Sequence, residues 1–273
     1  MPHSFSRRGA LTAIAVTATG AMLPRRTLAQ DTSATLISGS DVCQIMPEVT
    51  EGPYYLDPDL VRADIREDRS GVPMRLRMQI VDAACAPMEG ARVDVWHCDA
   101  QGVYSGFGGG DAGQTSAATD TFLRGTQMSD ARGIVEFRTI YPGWYRGRTV
   151  HVHYKVFLDE NTVLTGQIFF PDALSAYLFA NVPAYVREGE RDTVNSNDGI
   201  AAEAGALSHA AITEADADYL AQLIVGVSPA ARSVQGGGGR PSGPPPDDTA
   251  PRMAPGASSS VTAPAPLVPG EDA

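Results

Sequence analysis

The sequence has 273 residues, which is enough for one large domain or two small ones with a buried core. Its formal net charge is −11, and loss of residues 1–29, which hold four arginines and no acidic residue, would make it −15. A chain this acidic lacks the basic surface needed to bind nucleic acid or anionic membranes, so we expect neither as a partner.

The first 29 residues have the pattern of an export signal. Arg7 and Arg8 precede an apolar run that ends at Leu23, and the small residue Ala29 follows where a signal peptidase could cut. The run is too short to span a bilayer, so no membrane-spanning segment is expected. The arginine pair resembles a twin-arginine signal, which is a receptor-read address and not an anchor. We therefore expect the mature protein to be periplasmic or extracellular.

The rest of the chain divides at two places. We expect a linker at residues 30–40 and one globular domain at residues 41–232. From residue 233 onward, glycine, proline, serine and alanine dominate and large apolar residues are scarce. Such a stretch cannot bury enough surface to offset the entropy lost on ordering. We expect residues 233–273 to form a disordered tail, with a proline-rich docking motif as the alternative.

Most signals in the domain are those of short β-strands separated by turn-forming clusters. The expected strands are residues 74–81, 91–98, 134–140, 149–158 and 163–170. Two helices are also expected, one beginning after Pro171 with Asp172 as its N-cap and one at residues 214–224. The pattern predicts an all-β fold, a sandwich or a barrel with a few short helices.

Three cysteines suit an exported protein with one disulfide and one free thiol. No CxxC pair occurs, which argues against a structural zinc site. Cys85 and Cys98 flank an apparent hairpin around Glu89 and Gly90, so we expect them to pair, with Cys43 left free. Closing so short a loop would stabilise the fold by about 3 kcal/mol.

Two histidines alternate along the fourth expected strand. Because alternate side chains of a strand share a face, His151 and His153 point the same way and are close enough to bind one ion. The opposite face, of valines and a tyrosine, is expected to pack on the core. This geometry alone fits a metal site and a pair of solvated or hydrogen-bonded histidines equally well.

Three further side chains could join the histidine face. Tyr145 lies six residues before His151, beyond a Pro-Gly turn, and Arg148 lies three residues before it. Tyr104 follows the end of a predicted strand. Each also has a simpler interpretation, packing for the tyrosines and solvation or a carboxylate partner for the arginine. His97 lies on the apolar face of its strand, so we expect a hydrogen-bonded core residue and not a ligand.

Four stretches of the sequence, spanning roughly residues 43 to 170, closely resemble the intradiol ring-cleavage dioxygenases, the family of catechol and protocatechuate dioxygenases. They are TEGPYYL, GARVDVWHCDAQGVYSGF, TFLRGTQMSDARGIVEFRTIYPGWY and RTVHVHYKV. The resemblance implies that family's β-sandwich and one non-haem ferric ion, Fe(3+), held by two tyrosinates and two histidines. By motif these ligands are Tyr104, Tyr145, His151 and His153. The implied reaction opens an aromatic diol between its two hydroxyls, with dioxygen, to a muconate-type diacid.

The resemblance also implies roles for residues around the ion. Tyr145 would be the tyrosinate that leaves the iron and accepts a substrate proton. Arg148 would stabilise negative charge on the substrate ring, and Gln167 would lie near the iron. Tyr54 and Tyr55 would line the substrate pocket, although an aromatic pair packed at an N-terminal turn fits the sequence equally well.

The residue types suit ferric iron. This hard ion prefers anionic oxygen, and a bound cation lowers the pKa of a phenol far below its usual value of about 10. Two phenolates and a hydroxide balance three positive charges, and neutral imidazoles complete the ligand set without adding charge.

The chain also departs from the best-known members of that family. We expect it to have no counterpart of the long N-terminal helical segment through which the cytoplasmic catechol dioxygenases dimerise, and its export signal is similar to those of the secreted branch. The identity of the diol and the oligomeric state stay open. Two other interpretations also stay open, a metal-free secreted β-sandwich that binds a ligand, and a cupin-like Fe(II) or zinc enzyme that uses the histidine pair.

Overall fold

The structure is a computed structural model that describes residues 44–57, 59–107, 116–159, 163–228 and 230–232. The predicted signal, linker and tail lie outside these residues. The described residues fall in one compact unit, Ser33–Ala273. Among them, no helix has the length and apolar character needed to cross a membrane.

In the described part of the chain, eight strands form two four-stranded sheets, and a few short helices connect them. This is the predicted all-β sandwich. The strands are β1 (Pro73–Val81), β2 (Arg92–Trp96), β3 (Arg124–Met128), β4 (Ile134–Ile140), β5 (His151–Phe157), β6 (Val163–Phe169), β7 (Ala211–Glu214) and β8 (Tyr219–Gly226). One sheet has the order β4-β1-β8-β7 and the other β3-β2-β5-β6. Strand β8 runs parallel to β1, and all other neighbours are antiparallel.

The core lies between the two sheets. Apolar side chains alternate along β1 and β5 and meet in one cluster, which includes Leu76, Met78, Val152, Tyr154 and Val156. The other face of β5 is also buried at its first three positions, although His151, His153 and Lys155 are polar. Loops between the strands cover that polar face, and this is where a site can form.

The helices agree with the prediction in part. Helix α1 (Asp172–Asn181) begins after Pro171 as expected, but Pro171 is its N-cap and Asp172 its first residue. The Asp172 carboxylate instead accepts hydrogen bonds from Arg191 and from the amide of Asn195. The second helix, α2 (Gly199–Ala204), was not expected.

The helix predicted at residues 214–224 is wrong, because this segment runs from the last residue of β7 through most of β8. Along β8 the buried side chains alternate from Tyr219 to Ala221 and Leu223 and pack into the core. Their backbone pairs with β1 and with β7. These long-range hydrogen bonds outweigh the local helical preference of the segment.

The predicted disulfide between Cys85 and Cys98 is also wrong. Strands β1 and β2 lie in different sheets, so the turn at Glu89 and Gly90 is a crossover and not a hairpin. Cys85 lies before β2 begins and Cys98 lies beyond its end, so no hairpin brings the two cysteines together. Cys98 is a free, buried thiol and Cys85 is disulfide-bonded. Cys43 lies outside the described residues.

Candidate metal centre

Strand β5 presents its two histidines side by side on the polar face. The Nε2 atoms of His151 and His153 are 3.0 Å apart, and both side chains are buried. This is the arrangement that strand periodicity predicted.

Two tyrosines from separate loops approach this pair. The hydroxyl of Tyr104 lies 3.4 Å and that of Tyr145 lies 3.1 Å from His151 Nε2. The two loops touch at Gly143, whose amide donates to the carbonyl oxygen of Asp99 at 3.1 Å. A Cβ at position 143 would lie 2.5 Å from that oxygen, so only glycine lets the loops approach this closely.

The proton of His151 is on the nitrogen that faces away from the tyrosines. Its Nδ1 lies 2.6 Å from the carbonyl oxygen of Thr149, which can only accept, so Nδ1 donates. The Nε2 lone pair therefore faces both phenols, the second imidazole and the guanidinium of Arg148 at 3.4 Å. One lone pair cannot serve four neighbours through hydrogen bonds, whereas a shared cation would satisfy the phenols and imidazoles together.

Packing fixes the plane of the His153 ring. Its ring stacks on Trp96 with centroids 4.9 Å apart and planes 6° apart. On another side, a Cβ at Gly52 would lie 3.3 Å from His153 Cε1, and Gly52 has a φ of +71°. Among the described residues, His153 Nδ1 has no hydrogen-bond partner.

Burial keeps all four candidate ligands neutral when no cation is bound. It lowers the pKa of His151 to about 3, helped by the charge of Arg148, and it lowers the pKa of His153 as well. It raises the pKa of Tyr104 and of Tyr145 above the usual value for a phenol, and Arg148 opposes this rise at Tyr145. A bound cation reverses this preference for the phenols, because it replaces the lost solvation with direct charge.

Arg148 is fixed on two sides. Its Nε donates to Asp198 Oδ2 at 2.9 Å, and its terminal NH2 donates to Gln167 Oε1 at 2.5 Å. Gln167 lies opposite His153 on β6, and its amide nitrogen donates to the Thr50 carbonyl oxygen at 2.9 Å. The guanidinium is therefore pointed at the histidine face before any substrate arrives.

Asp198 was missed by the sequence analysis. Its Oδ2 accepts from Arg148 and from the Thr149 amide, and its Oδ1 caps helix α2 through the amides of Ile200 and Ala201. Burial opposes ionisation of this carboxyl, but the Thr149 amide and the Arg148 charge outweigh it and lower the pKa. The only local signal was an aspartate before a short alanine-rich segment, which predicts an N-cap and nothing about Arg148.

The two candidate pocket tyrosines occupy different layers. Tyr54 stacks on Tyr104, with centroids 4.3 Å apart and planes 14° apart, so it lines the site directly. Tyr55 lies one layer behind, against Trp96 at 4.8 Å, and its hydroxyl donates to Asp94 Oδ2 at 2.9 Å. Lys155 Nζ lies 4.2 Å from the centre of the Tyr55 ring.

Other polar groups near the site have structural explanations. The predicted core role of His97 is confirmed, because its ring nitrogens lie 2.7 Å from the Cys98 carbonyl oxygen and 2.6 Å from Thr139 Oγ1. Lys155 forms a buried ion pair with Glu51. In the described part of the chain, no three His, Cys, Asp or Glu side chains are placed to hold a metal ion.

Known proteins resemble this chain in sequence and in fold. Residues 47–189, a little over half of the chain, match the protein-family model Dioxygenase_C, described as Dioxygenase. The chain is 30% identical over 171 residues to a catechol 1,2-dioxygenase of a Pseudomonas species, which covers 53% of this chain and 54% of the relative. It is 32% identical over 141 residues to a chlorocatechol 1,2-dioxygenase of another Pseudomonas strain, with 44% and 53% covered.

The chain therefore spans about half the length of these curated relatives. It covers much more of one solved structure, an intradiol ring-cleavage dioxygenase from Tetranychus urticae. That structure matches with a TM-score of 0.64 and 34% identity, over 70% of this chain and 98% of the other.

Proposed function

The chain belongs to the intradiol ring-cleavage dioxygenase family, and from this premise we propose that it is a non-haem Fe(III) dioxygenase. It would cleave a catechol-type ring between its two hydroxyls, with dioxygen, to a muconate-type diacid. The observation that carries the proposal is the convergence of two phenols and a second imidazole on the Nε2 lone pair of His151.

The donor set fits ferric iron. Tyr104, Tyr145, His151 and His153 offer two oxygens that can become anionic and two neutral nitrogens; Tyr145 is partly buried and the other three are buried. A hard trivalent cation favours phenolate oxygen, and the protonated Nδ1 of His151 leaves its Nε2 ready to bind. When bound there, ferric iron would withdraw electron density from a coordinated diol and make a ring carbon reactive toward dioxygen.

The two tyrosines are suited to different tasks. Stacking on Tyr54 restricts the ring of Tyr104, so we assign Tyr104 as the tyrosine that stays bound to the metal throughout the reaction. Tyr145 packs only edge-on against both of these rings and lies beside Arg148, whose charge favours its phenolate form. We assign Tyr145 Oη as the group that accepts a proton from one diol hydroxyl.

Arg148 would stabilise negative charge on the bound diol. Its guanidinium is held by Asp198 and Gln167, so it does not need to reorganise as that charge develops. Tyr54 would form an aromatic wall against the substrate ring. Tyr55 packs on Trp96, which in turn stacks on His153.

The relatives indicate the substrate class, since they are named for catechol and chlorocatechol. We propose a catechol-type diol and dioxygen as partners, with the ring substituents left for experiment. We also propose that the protein acts in the periplasm or outside the cell, on the strength of the signal-like pattern of residues 1–29.

The colour of the iron-loaded protein tests the proposal. Tyrosinate bound to ferric iron absorbs visible light by charge transfer, so the loaded protein should be coloured, and Tyr104→Phe should shift the band. Tyr154→Phe is a matched control, because this tyrosine lies on the opposite face of β5 and its hydroxyl has no hydrogen-bond partner among the described residues. Oxygen uptake with catechol, chlorocatechol and hydroxyquinol then ranks the substrates.

A colourless preparation with ferric iron bound in equal proportion to the chain would refute the proposal. A preparation that binds no iron at all would favour a metal-free binding module.

A further inference from the structure

A buried arginine lies behind the tyrosines, and the part of the chain that the structure describes offers it no acidic partner. Arg124, the first residue of β3, is 2% exposed. Every hydrogen bond of its guanidinium goes to a neutral oxygen, and within the described residues no carboxylate forms an ion pair with it. A buried cation is costly unless it is hydrogen-bonded and electrically compensated, so this arrangement needs an explanation.

The hydrogen bonds of Arg124 join two loops. Its Nε donates to Ser105 Oγ at 2.8 Å and its NH2 to the Ser105 carbonyl oxygen at 2.8 Å. Its NH1 donates to the Tyr54 carbonyl oxygen at 2.7 Å. Ser105 Oγ in turn donates to the Phe122 carbonyl oxygen at 2.7 Å, which ties the arrangement to the segment before β3.

These two loops carry the stacked pair of tyrosines. Ser105 directly follows Tyr104, and Tyr54 stacks on Tyr104 at 4.3 Å. The planar guanidinium of Arg124 thus donates hydrogen bonds to the backbone on both sides of the stack. A lysine could not replace it, because an ammonium on a flexible stem does not match three oxygens in fixed directions.

We propose that Arg124 is the positioning residue for Tyr104: it holds the Tyr54–Tyr104 stack against the histidine face, while its own guanidinium is bonded to neutral oxygens alone among the described residues. The inference rests on the proposed function, because it concerns the same iron ligand. It adds a residue that does not touch the ligand atom and acts through the backbone of Ser105 and Tyr54.

The electrostatics of Arg124 agree with this role. Burial lowers the pKa of its guanidinium to about 10, and negative charge on Tyr104 opposes that shift. A carboxylate partner would cancel the positive charge, whereas neutral oxygens leave it available to a phenolate.

The test compares Arg124→Met, Arg124→Lys and Ser105→Ala with the wild type, each as the full chain loaded with ferric iron. Two readouts are taken, the position of the tyrosinate-to-iron absorption band and the rate at which a chelator removes the iron. Arg75→Met is the control, because Arg75 lies on β1 in the other sheet and pairs with Asp218. Thermal unfolding of the metal-free variants measures any general loss of stability.

We expect Arg124→Met to shift the band and to release iron about 10- to 100-fold faster, the range typical of residues that orient a metal ligand. Arg124→Lys should restore only part of the effect, Ser105→Ala should shift the band less in the same direction, and Arg75→Met should match the wild type. If Arg124→Met does not fold, Arg124→Lys and Ser105→Ala decide the question.

Two negative results have different meanings. A coloured wild type, with variants of Arg124 and Ser105 that keep its band and its release rate, would overturn this inference and leave the proposed function standing. A colourless, iron-loaded wild type would overturn the proposed function itself.

Discussion

His151 and His153 share one face of β5, but different contacts hold them. His151 donates to the Thr149 carbonyl oxygen, and this hydrogen bond fixes both its tautomer and its direction. His153 stacks on Trp96 and lies against Gly52, so packing fixes the plane of its ring. The affinity of the site for a metal should therefore depend on an aromatic neighbour and a glycine as well as on the four ligands.

His97 should make the metal-free protein sensitive to acid. Burial lowers its pKa to about 4 in the folded state, against about 6.5 in the unfolded chain. Its contribution to stability is therefore complete above pH 6.5 and is lost as the pH falls toward 4, in total roughly 3 kcal/mol. We expect His97→Gln to flatten the dependence of the free energy of unfolding on pH between 6.5 and 4.

Urea denaturation of the metal-free protein at several pH values measures this effect. His209→Gln is the control, because His209 is exposed, and its profile should follow the wild type. Parallel profiles for His97→Gln and the wild type would contradict the prediction.

At the residue scale, the sequence predicted the candidate metal ligands better than the residues that hold those ligands and Arg148 in place. Strand alternation placed the two histidines together, and the motif resemblance added Tyr104, Tyr145 and Arg148, which the structure brings to the same place. Asp198, Arg124 and Trp96 were missed as supports, because each acts on a residue distant in the chain. A local pattern shows that a side chain is buried or caps a helix, but not which distant group it contacts.

Strand β5 has one polar and one apolar face, and its apolar face is closely fitted to β6. Tyr154 lies opposite Gly166 in the β5–β6 pair, and its ring covers the glycine. The absence of a side chain at position 166 makes room for the largest buried residue of the strand. This fit belongs to the pair of strands and not to either residue alone.

Gly166→Ala should therefore destabilise the fold. Its Cβ would lie 2.2 Å from Tyr154 Cζ, so a fully buried ring must move, which costs roughly 1–3 kcal/mol. Gly199→Ala is the matched control, because nothing lies within 4 Å of a Cβ at that position. Thermal unfolding of both variants gives the comparison, and equal melting temperatures would contradict the expected clash.

The wrong helix at residues 214–224 shows the limit of periodicity at the element scale. The segment from Tyr219 to Ile224 has apolar residues at spacings that fit a helix turn and a half-buried strand alike. Its partner β1 lies more than a hundred residues earlier. The strands at residues 134–140 and 163–169 were easier to predict from the sequence, because each is a run of residues that favour β-strands, bounded by turn-forming residues.

For the whole molecule, the parallel pair of β1 and β8 joins the two ends of the domain. Strand β8 lies between β1 and β7, and it pairs with β1 from Met74 to Val81. It follows the last residue of the family-model match, Gly189, yet it occupies a central position in its sheet. The fold thus needs a segment that carries none of the candidate ligands.

Truncation tests this requirement. A chain ending at residue 217 keeps every candidate ligand but loses β8, including the buried Tyr219, Leu223 and Val225. We expect it to lose cooperative unfolding and iron binding, because β1 would lose a neighbour along its length and the core would open. A chain ending at residue 232 should unfold like the full chain. Circular dichroism during heating distinguishes the two, and a sharp transition in the shorter chain would contradict the argument.

Asp198 has a consequence for anyone who wishes to redesign the pocket. One carboxylate serves Arg148 through one oxygen and the start of α2 through the other. Exchanging Arg148 for a neutral residue, to admit a differently charged substrate, would leave a buried anion above a helix that still depends on it. The unit to transplant or to vary in a library is therefore the pair, Arg148 with Asp198. If Arg148 is substituted without Asp198, we expect the yield of soluble protein to fall before a new specificity is reached.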